Sequence, residues 1–227
     1  VPSEVSDRIA GVAQFYQAIW LKQQFRLEDI DRPLLSLDVM LAKAGFTRAA
    51  RHMAARSVVT VGSQMKGSGL GLQAARTWDA GVTDKFAKTS LDTLFDGKKV
   101  VLFALPGAYT GVCEKGHVPS FVKNVAAFKA KGVDAIACVS VNDPYTMHAW
   151  ATAMGAADDI AFFGDSDGSF TEFVGQALDL NVAGLGPGKR SNRYAMVVED
   201  GVVKEMKVEE SGGDLKVSDG DTMLAAL

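Results

Sequence analysis

Three short, nearly continuous apolar runs limit the folds open to this chain: 100-VVLFAL-105, 135-AIACVSV-141 and 160-IAFF-163. Each is short, and none shows the strict apolar–polar alternation of a half-exposed strand. Such runs fit strands buried on both faces of a sheet. Patterns of helical period lie between and after them. One covers about residues 118 to 131 and ends at Gly132. A second starts at Asp143-Pro144 and carries Met147, Trp150, Ala151 and Met154 along one face. A third opens with 169-SFTE-172, which reads as a capping box, and carries Phe170, Phe173, Val174 and Ala177. Further on, 193-RYAMVVEDGVVKEMKV-208 reads as two strands joined across Asp200-Gly201, a strong short-range hairpin signal, and a final helix follows Ser218.

The order strand, helix, strand, helix, strand, helix, hairpin, helix predicts an α/β domain with a mixed central sheet and helices on both sides, the construction of a thioredoxin-like fold. Residues 1–56 carry helical signals only. Ile9, Val12, Ala13, Tyr16, Ile19 and Trp20 share one helical face, and a second helix has Pro33 in its first turn, Leu34, Leu37 and Leu41 on one side, and a stop at Gly45. The chain is therefore read as a helical amino-terminal arm, 1–56, followed by a domain at 57–227. With 48% hydrophobic residues and a net charge of −3, the chain can hold a core but offers no basic field for nucleic acid. No apolar run reaches the length of a membrane span. Two cysteines cannot form a disulfide framework and read as reduced, intracellular thiols.

From Lys43 to Trp78 there is no acidic residue, while Arg48, Arg51, Arg56, Lys66 and Arg76 are basic. That texture resembles an organellar transit segment and points to a mitochondrion or plastid; as a plain basic connection it is equally at home in the cytoplasm. The run 66-KGSGLG-71 lacks the spacing of a phosphate-binding loop and is read as a flexible connection. The stretch 165-DSDGSF-170 has a faint calcium-loop look, but Gln176 stands where a bidentate glutamate is needed.

The densest chemistry lies in 105-LPGAYTGVCEKGHVP-119, directly behind the first apolar run. Cys113 falls past a strand's carboxyl end and in the first turn of a helix, where ligands bind in open α/β sheets and where a thiolate is stabilised. Thr110 can present a hydroxyl to a polar substrate, Pro106 can wall the site, and Gly107 and Gly111 allow close backbone approach. Cys113 and His117 lack the further ligands of a zinc site. The chain has no C-x-x-C, which argues against a thioredoxin-type disulfide reductase.

The pattern Pro106-Gly-Ala-Tyr-Thr110-Gly-Val-Cys113 closely resembles the peroxiredoxin signature P-x-x-x-T/S-x-x-C. The histidine in 113-CEKGHVPSFV-122, and the stretches 132-GVDAIACVSVNDPYTMHAW-150 and 189-KRSNRYAMVVEDGVVKEMKVE-209, are similar to the type II, peroxiredoxin-5-like group. The resemblance spans about residues 57 to 227. It implies a thiol peroxidase acting on hydrogen peroxide and small alkyl hydroperoxides without metal, haem or flavin. Cys113 would be the peroxidatic nucleophile, Thr110 would bind the peroxide and the thiolate, Arg193 would stabilise the thiolate and the charge developing on oxygen, and Pro106 would shield the site. His117 and Gly107 would support them.

The group's usual Thr-Pro is Thr110-Gly111 here, which loosens the loop. Cys138 sits where plant-type members carry a cysteine given a resolving role, yet in a strand expected to be buried, so resolution and core packing are both open readings. Val217 occupies the carboxyl-terminal position at which mammalian members resolve. External re-reduction by glutaredoxin, glutathione or thioredoxin is the expected outcome, with homodimerisation through the domain. The arm motivates a rival reading, a peroxiredoxin-like subunit attached to a larger assembly through residues 1–56, with little or no peroxidase role.

Overall fold

The computed structural model describes residues 59–179 and 188–227. The two expected arm helices, the organellar-type basic texture up to residue 58 and the boundary at 56/57 lie outside them. In chain order the described residues form β1 (Gly71–Ala74), β2 (Thr89–Ser90), α1 (Leu91–Phe95) and β3 (Lys99–Ala104). A π-helical turn (Cys113–His117) then runs into α2 (Val118–Val122), followed by α3 (Val125–Ala130), β4 (Ala135–Ser140), α4 (Pro144–Ala153) and β5 (Ala161–Gly164). The chain continues with α5 (Ser169–Val174), β6 (Ala177–Asp179), β7 (Lys189–Ser191), β8 (Tyr194–Glu199), β9 (Val202–Val208) and α6 (Gly220–Ala225).

Seven of the described strands make one mixed sheet in the order β2-β1-β5-β4-β3-β8-β9, and β6 pairs with β7 separately. β3, β4 and β5 are the three apolar runs, paired parallel in the middle, with β8 antiparallel on the other side of β3. Alternate residues of β3 enter two cores, which is why the run carries no polar face. Val101 and Phe103 join Phe121, Phe128, Trp150 and Met223 from α2, α3, α4 and α6. Val100, Leu102 and Ala104 join Leu91, Leu94 and Phe95 of α1 and Phe170 and Val174 of α5. Helices therefore cover both faces, and the domain is a thioredoxin-like α/β fold. Among the described residues no helix is long and apolar enough to cross a membrane.

The hairpin forms as expected. Asp200 and Gly201 both take positive φ, 47° and 83°, the twist that a two-residue connection between right-handed strands requires. Other expectations are corrected. The run 66–71 is fastened: Lys66 Nζ reaches Asp96 and Asp200 at 2.9 and 2.6 Å, and Gly67 N–H donates to Asp92 at 2.6 Å. The capping box at Ser169 is not made. Gly168 occupies the cap in a left-handed conformation, and the buried Asp165 carboxylate accepts from Phe170 N and Thr171 N at 3.1 and 2.8 Å. Ser169 bonds Asp167, and Glu172 pairs with Lys189. The helix expected from 118 to 131 breaks at Lys123-Asn124. Asn124 Nδ2 takes the Ser120 carbonyl that a continuing helix would reserve for its backbone, and also bonds Asp221, tying the break to α6.

Docking of α6 leaves no room at its first residue. A Cβ on Gly220 would lie 2.1 Å from Ser120 O and 2.6 Å from the carbonyl carbon, both backbone atoms. Gly220→Ala is expected to lower stability by about 3 kcal/mol, read as a shift in urea midpoint; an unchanged midpoint would show that α6 moves freely on α2.

Candidate active site

The sequence turns a corner between β3 and α2, and the corner builds the site. After Ala104 the chain runs through Leu105 to Thr110 before becoming helical, with Leu105 N–H still donating to Val139 O of β4 at 3.2 Å. Tyr109 takes φ 58°, uncommon for a bulky residue, and projects into solvent at 54% exposure. The helix then widens. Val118 N–H reaches five residues back to Cys113 O, making the π-turn. Pro119 supplies the reason: it has no N–H to give Lys115, and its ring would collide with that carbonyl in a regular helix.

Cys113 lies at the start of this turn and is 1% exposed. Arg193, immediately before β8 and also 1% exposed, places Nη2 3.3 Å from Cys113 Sγ. The same nitrogen donates to Gly212 O at 2.9 Å, and Nη1 lies 3.1 Å from His117 Nδ1. Eighty positions apart in sequence, Cys113 and Arg193 are brought together by β3 and β8 being sheet neighbours.

His117 is an internal strut. Its Nε2 is 3.0 Å from Ser218 O, and a carbonyl can only accept. Nε2 therefore carries the proton, and Nδ1 offers its lone pair to Arg193. The ring packs edge-on against Phe103 and Phe121, with centroids 5.0 and 5.6 Å away. This burial, and secondarily the adjacent guanidinium, lowers its pKa from 6.5 to about 3. The imidazole stays neutral, the form that accepting from Arg193 requires.

A histidine held neutral in the fold and free to protonate when unfolded gives a signed prediction. The unfolded chain binds the extra proton between its own pKa near 6.5 and the folded value near 3. The strut's contribution is thus complete above the unfolded pKa and is lost as pH falls through that window. Wild type is expected to lose about 3 kcal/mol more than His117→Asn between about pH 7 and about pH 4, compared by urea unfolding. Parallel losses in the two proteins would refute a neutral, buried His117.

The other expected residues are placed as follows. Thr110 Oγ1 donates to Gly107 O at 2.7 Å, leaving its lone pairs free; it makes no hydrogen bond to Cys113 among the described contacts. Gly107 is buried, and a Cβ there would come within 3.3 Å of Arg190 Nη1 and 3.4 Å of Thr110 Cγ2. Pro106 is half-buried and faces the Gly212 backbone, where an added Cβ would sit 3.2 Å from Pro106 Cγ. Cys138 is wholly buried in β4, registered with Phe103 and Phe162. Burial, then the neighbouring Cys113, push its thiol well above the usual range. Both cysteines are free.

Two residues that support the loop were not singled out by sequence. Asn142 Oδ1 accepts from Ala108 N at 3.1 Å and from Ser140 Oγ at 2.7 Å, and Arg190 Nη1 donates to Val141 O at 3.1 Å. They join the end of β4 to the 106–110 corner. Asn142 follows the carboxyl end of the neighbouring strand, and that position was the available signal. Among the described residues no group of three or more histidine, cysteine or acidic side chains is placed to hold a metal ion.

Comparison with known proteins bears on this geometry. The Redoxin family profile matches residues 67–224. The chain is 51% identical over 159 residues to "Peroxiredoxin-2F, mitochondrial" of Arabidopsis thaliana, covering 70% of this chain and 78% of the relative. It is 47% identical over 180 residues to the protein of the same name from Oryza sativa subsp. japonica, covering 78% and 90%. Among solved structures, reduced Prx3 of Vibrio vulnificus in complex with H2O2 is similar, with TM-score 0.64 and 39% identity over 74% of this chain and 99% of that one. These likenesses do not favour a subunit without a peroxidase role. A cysteine under a guanidinium, in the turn beyond the carboxyl end of a central strand, in a domain matched along nearly its whole length, identifies the chain as a member of the Redoxin family and, within it, of the peroxiredoxins.

Proposed function

We propose that this thiol peroxidase reduces hydrogen peroxide and small alkyl hydroperoxides at Cys113 and is restored by an external thiol. One observation carries the reading: the buried 3.3 Å contact between Arg193 Nη2 and Cys113 Sγ. A guanidinium this deeply buried needs an opposing charge. Among the described residues its hydrogen-bond partners are a neutral imidazole, a carbonyl and the sulfur. Of these three partners, the sulfur is the one whose chemistry allows it to become an anion.

The chemistry follows from the arrangement. The Cys113 thiolate attacks one peroxide oxygen, forming an S–O bond as the O–O bond breaks; the departing oxygen takes both electrons of that bond and a proton, leaving as water or an alcohol. Negative charge grows on the departing oxygen, where the Arg193 guanidinium stabilises it. Thr110, its own proton given to Gly107 O, accepts a hydrogen bond from the peroxide O–H and so orients it. Pro106 walls the opening. The sulfenic acid then condenses with a thiol, releasing water, and a second thiol breaks the mixed disulfide.

Cys138 is assigned to the core: a buried thiol held protonated is a poor attacking group. Glutaredoxin, glutathione or thioredoxin is therefore the reductant class. The mitochondrial and chloroplastic relatives, together with the arginine-rich, acid-free stretch after Lys43, support a mitochondrion or plastid as the compartment. The domain is expected to dimerise, or the chain to join a larger assembly through residues 1–56.

Stopped-flow mixing of the reduced protein with hydrogen peroxide, followed by mass spectrometry, tests this. The expected result is fast oxidation confined to Cys113, without a disulfide. A Cys113–Cys138 bridge would replace the external route by an internal one. Oxidation no faster than that of a free thiol would overturn the peroxidase reading.

A further inference from the structure

We propose that Glu209 is a positioning residue for the Cys113–Arg193 pair, acting through the loop at residues 210–218 without touching either side chain's reactive atoms. The inference rests on the reading of Cys113 as the reacting thiol. Glu209 follows β9, and its backbone N–H donates to Arg193 O at 3.0 Å, so it begins beside the arginine's own backbone. Its side chain turns to the far end of the loop. There Oε1 accepts from Lys216 N at 2.9 Å, Val217 N at 2.8 Å, Ser218 N at 2.9 Å and Ser218 Oγ at 2.8 Å.

Four donors converge on one carboxylate oxygen of a residue that is 3% exposed. Burial alone would raise this carboxyl, but the hydrogen bonds from Val217, Lys216 and Ser218 more than offset it and hold Glu209 below the usual carboxylate range. The carboxylate thus closes the loop and fixes two carbonyls. Gly212 O receives Arg193 Nη2 directly, and Ser218 O receives His117 Nε2, whose ring sets Arg193 Nη1. The loop that Glu209 closes therefore supplies both supports of the guanidinium. It also packs on the π-turn, where a Cβ on Gly116 would meet Leu215 at 2.9 Å.

A purely electrostatic role and a positioning role predict opposite signs. Deleting a nearby negative charge favours the Cys113 thiolate and speeds peroxide reduction. Releasing the loop lets the guanidinium leave the sulfur, lowers the thiolate population and slows it. Glu209→Gln keeps the shape but exchanges a charged acceptor for a weaker neutral one, so the fold is expected to persist while the loop's anchor is loosened.

The experiment measures, on the full chain, the second-order rate with hydrogen peroxide and the ultraviolet thiolate absorbance at neutral pH. Wild type, Glu209→Gln, Arg193→Met and the double variant are compared. Glu209→Gln is expected to be about tenfold slower, with less thiolate, and to cost nothing further once Arg193 is gone. A rate equal to or above wild type, or independent multiplication of the two losses, overturns the role of Glu209 while leaving the peroxidase intact. A wild-type chain that reacts no faster than a free thiol removes the peroxidase reading and this inference with it.

Discussion

Replacing Cys113 by serine is expected to abolish peroxide reduction, lowering the rate by about 10⁴-fold or more, while the fold persists. A hydroxyl fills almost the same buried space, and its oxygen still accepts from Arg193 Nη2, which lies 3.3 Å from the present sulfur. It is not ionised near neutral pH and cannot attack the peroxide. Cys138 is not expected to substitute, because it is fully buried in β4 and held as a thiol. Coupled consumption of peroxide with a dithiol reductant, measured for Cys113→Ser and separately for Cys138→Ala, checks both halves. Loss in the first and retention in the second is the expected result. Activity surviving in Cys113→Ser would mean that the reacting thiol has been wrongly placed, and loss in Cys138→Ala with an intact fold would give that cysteine the resolving role.

The second large effect is expected at Arg193. Arg193→Met should slow the reaction of Cys113 with peroxide by about 10² to 10³-fold, the cost of removing one pre-aligned donor to charge developing in a water-poor site. Stability should move far less than activity. Methionine leaves His117 Nδ1 and Gly212 O without their donor, but it also removes a buried cation that no carboxylate pairs with among the described contacts. Arg193→Lys separates charge from geometry. An ammonium cannot hold a ring nitrogen, a carbonyl and a sulfur in the plane that the guanidinium spans, so lysine is expected to recover little of the rate. Full recovery by lysine would show that charge alone suffices and that the network around His117 has no catalytic consequence.

The central strands were legible in the sequence for a simple reason. A strand buried on both faces has no polar positions, and 100–105, 135–141 and 160–163 match β3, β4 and β5 to within a residue. The hairpin at Asp200-Gly201 was legible because few residue pairs accept two positive φ values in succession. β1, β2 and the β6–β7 pair are two to four residues long and carry no period long enough to read. The capping box failed because Ser169 had a nearer partner in Asp167, and the cap fell to a buried aspartate upstream. The widened turn at Cys113 is explained by Pro119, but proline at the start of a helix is ordinary enough that its presence did not announce a π-turn.

The sequence by itself determined the central strands and their alternation with helices, the class of fold and the position of a reactive-looking cysteine past the end of β3, because burial periodicity and turn chemistry are local properties. It could name Arg193 only through the family pattern, since nothing local links it to Cys113, and it placed His117 four residues on without showing what the ring bonds. The tertiary structure decided how they combine. Sheet pairing brings Arg193 to the sulfur, core burial keeps His117 neutral, and Glu209 closes the loop whose carbonyls fix the guanidinium. Hydrogen bonds between groups up to about a hundred residues apart leave no spacing in the chain, and whether a charge is paired or a ring neutral depends on what burial places beside it.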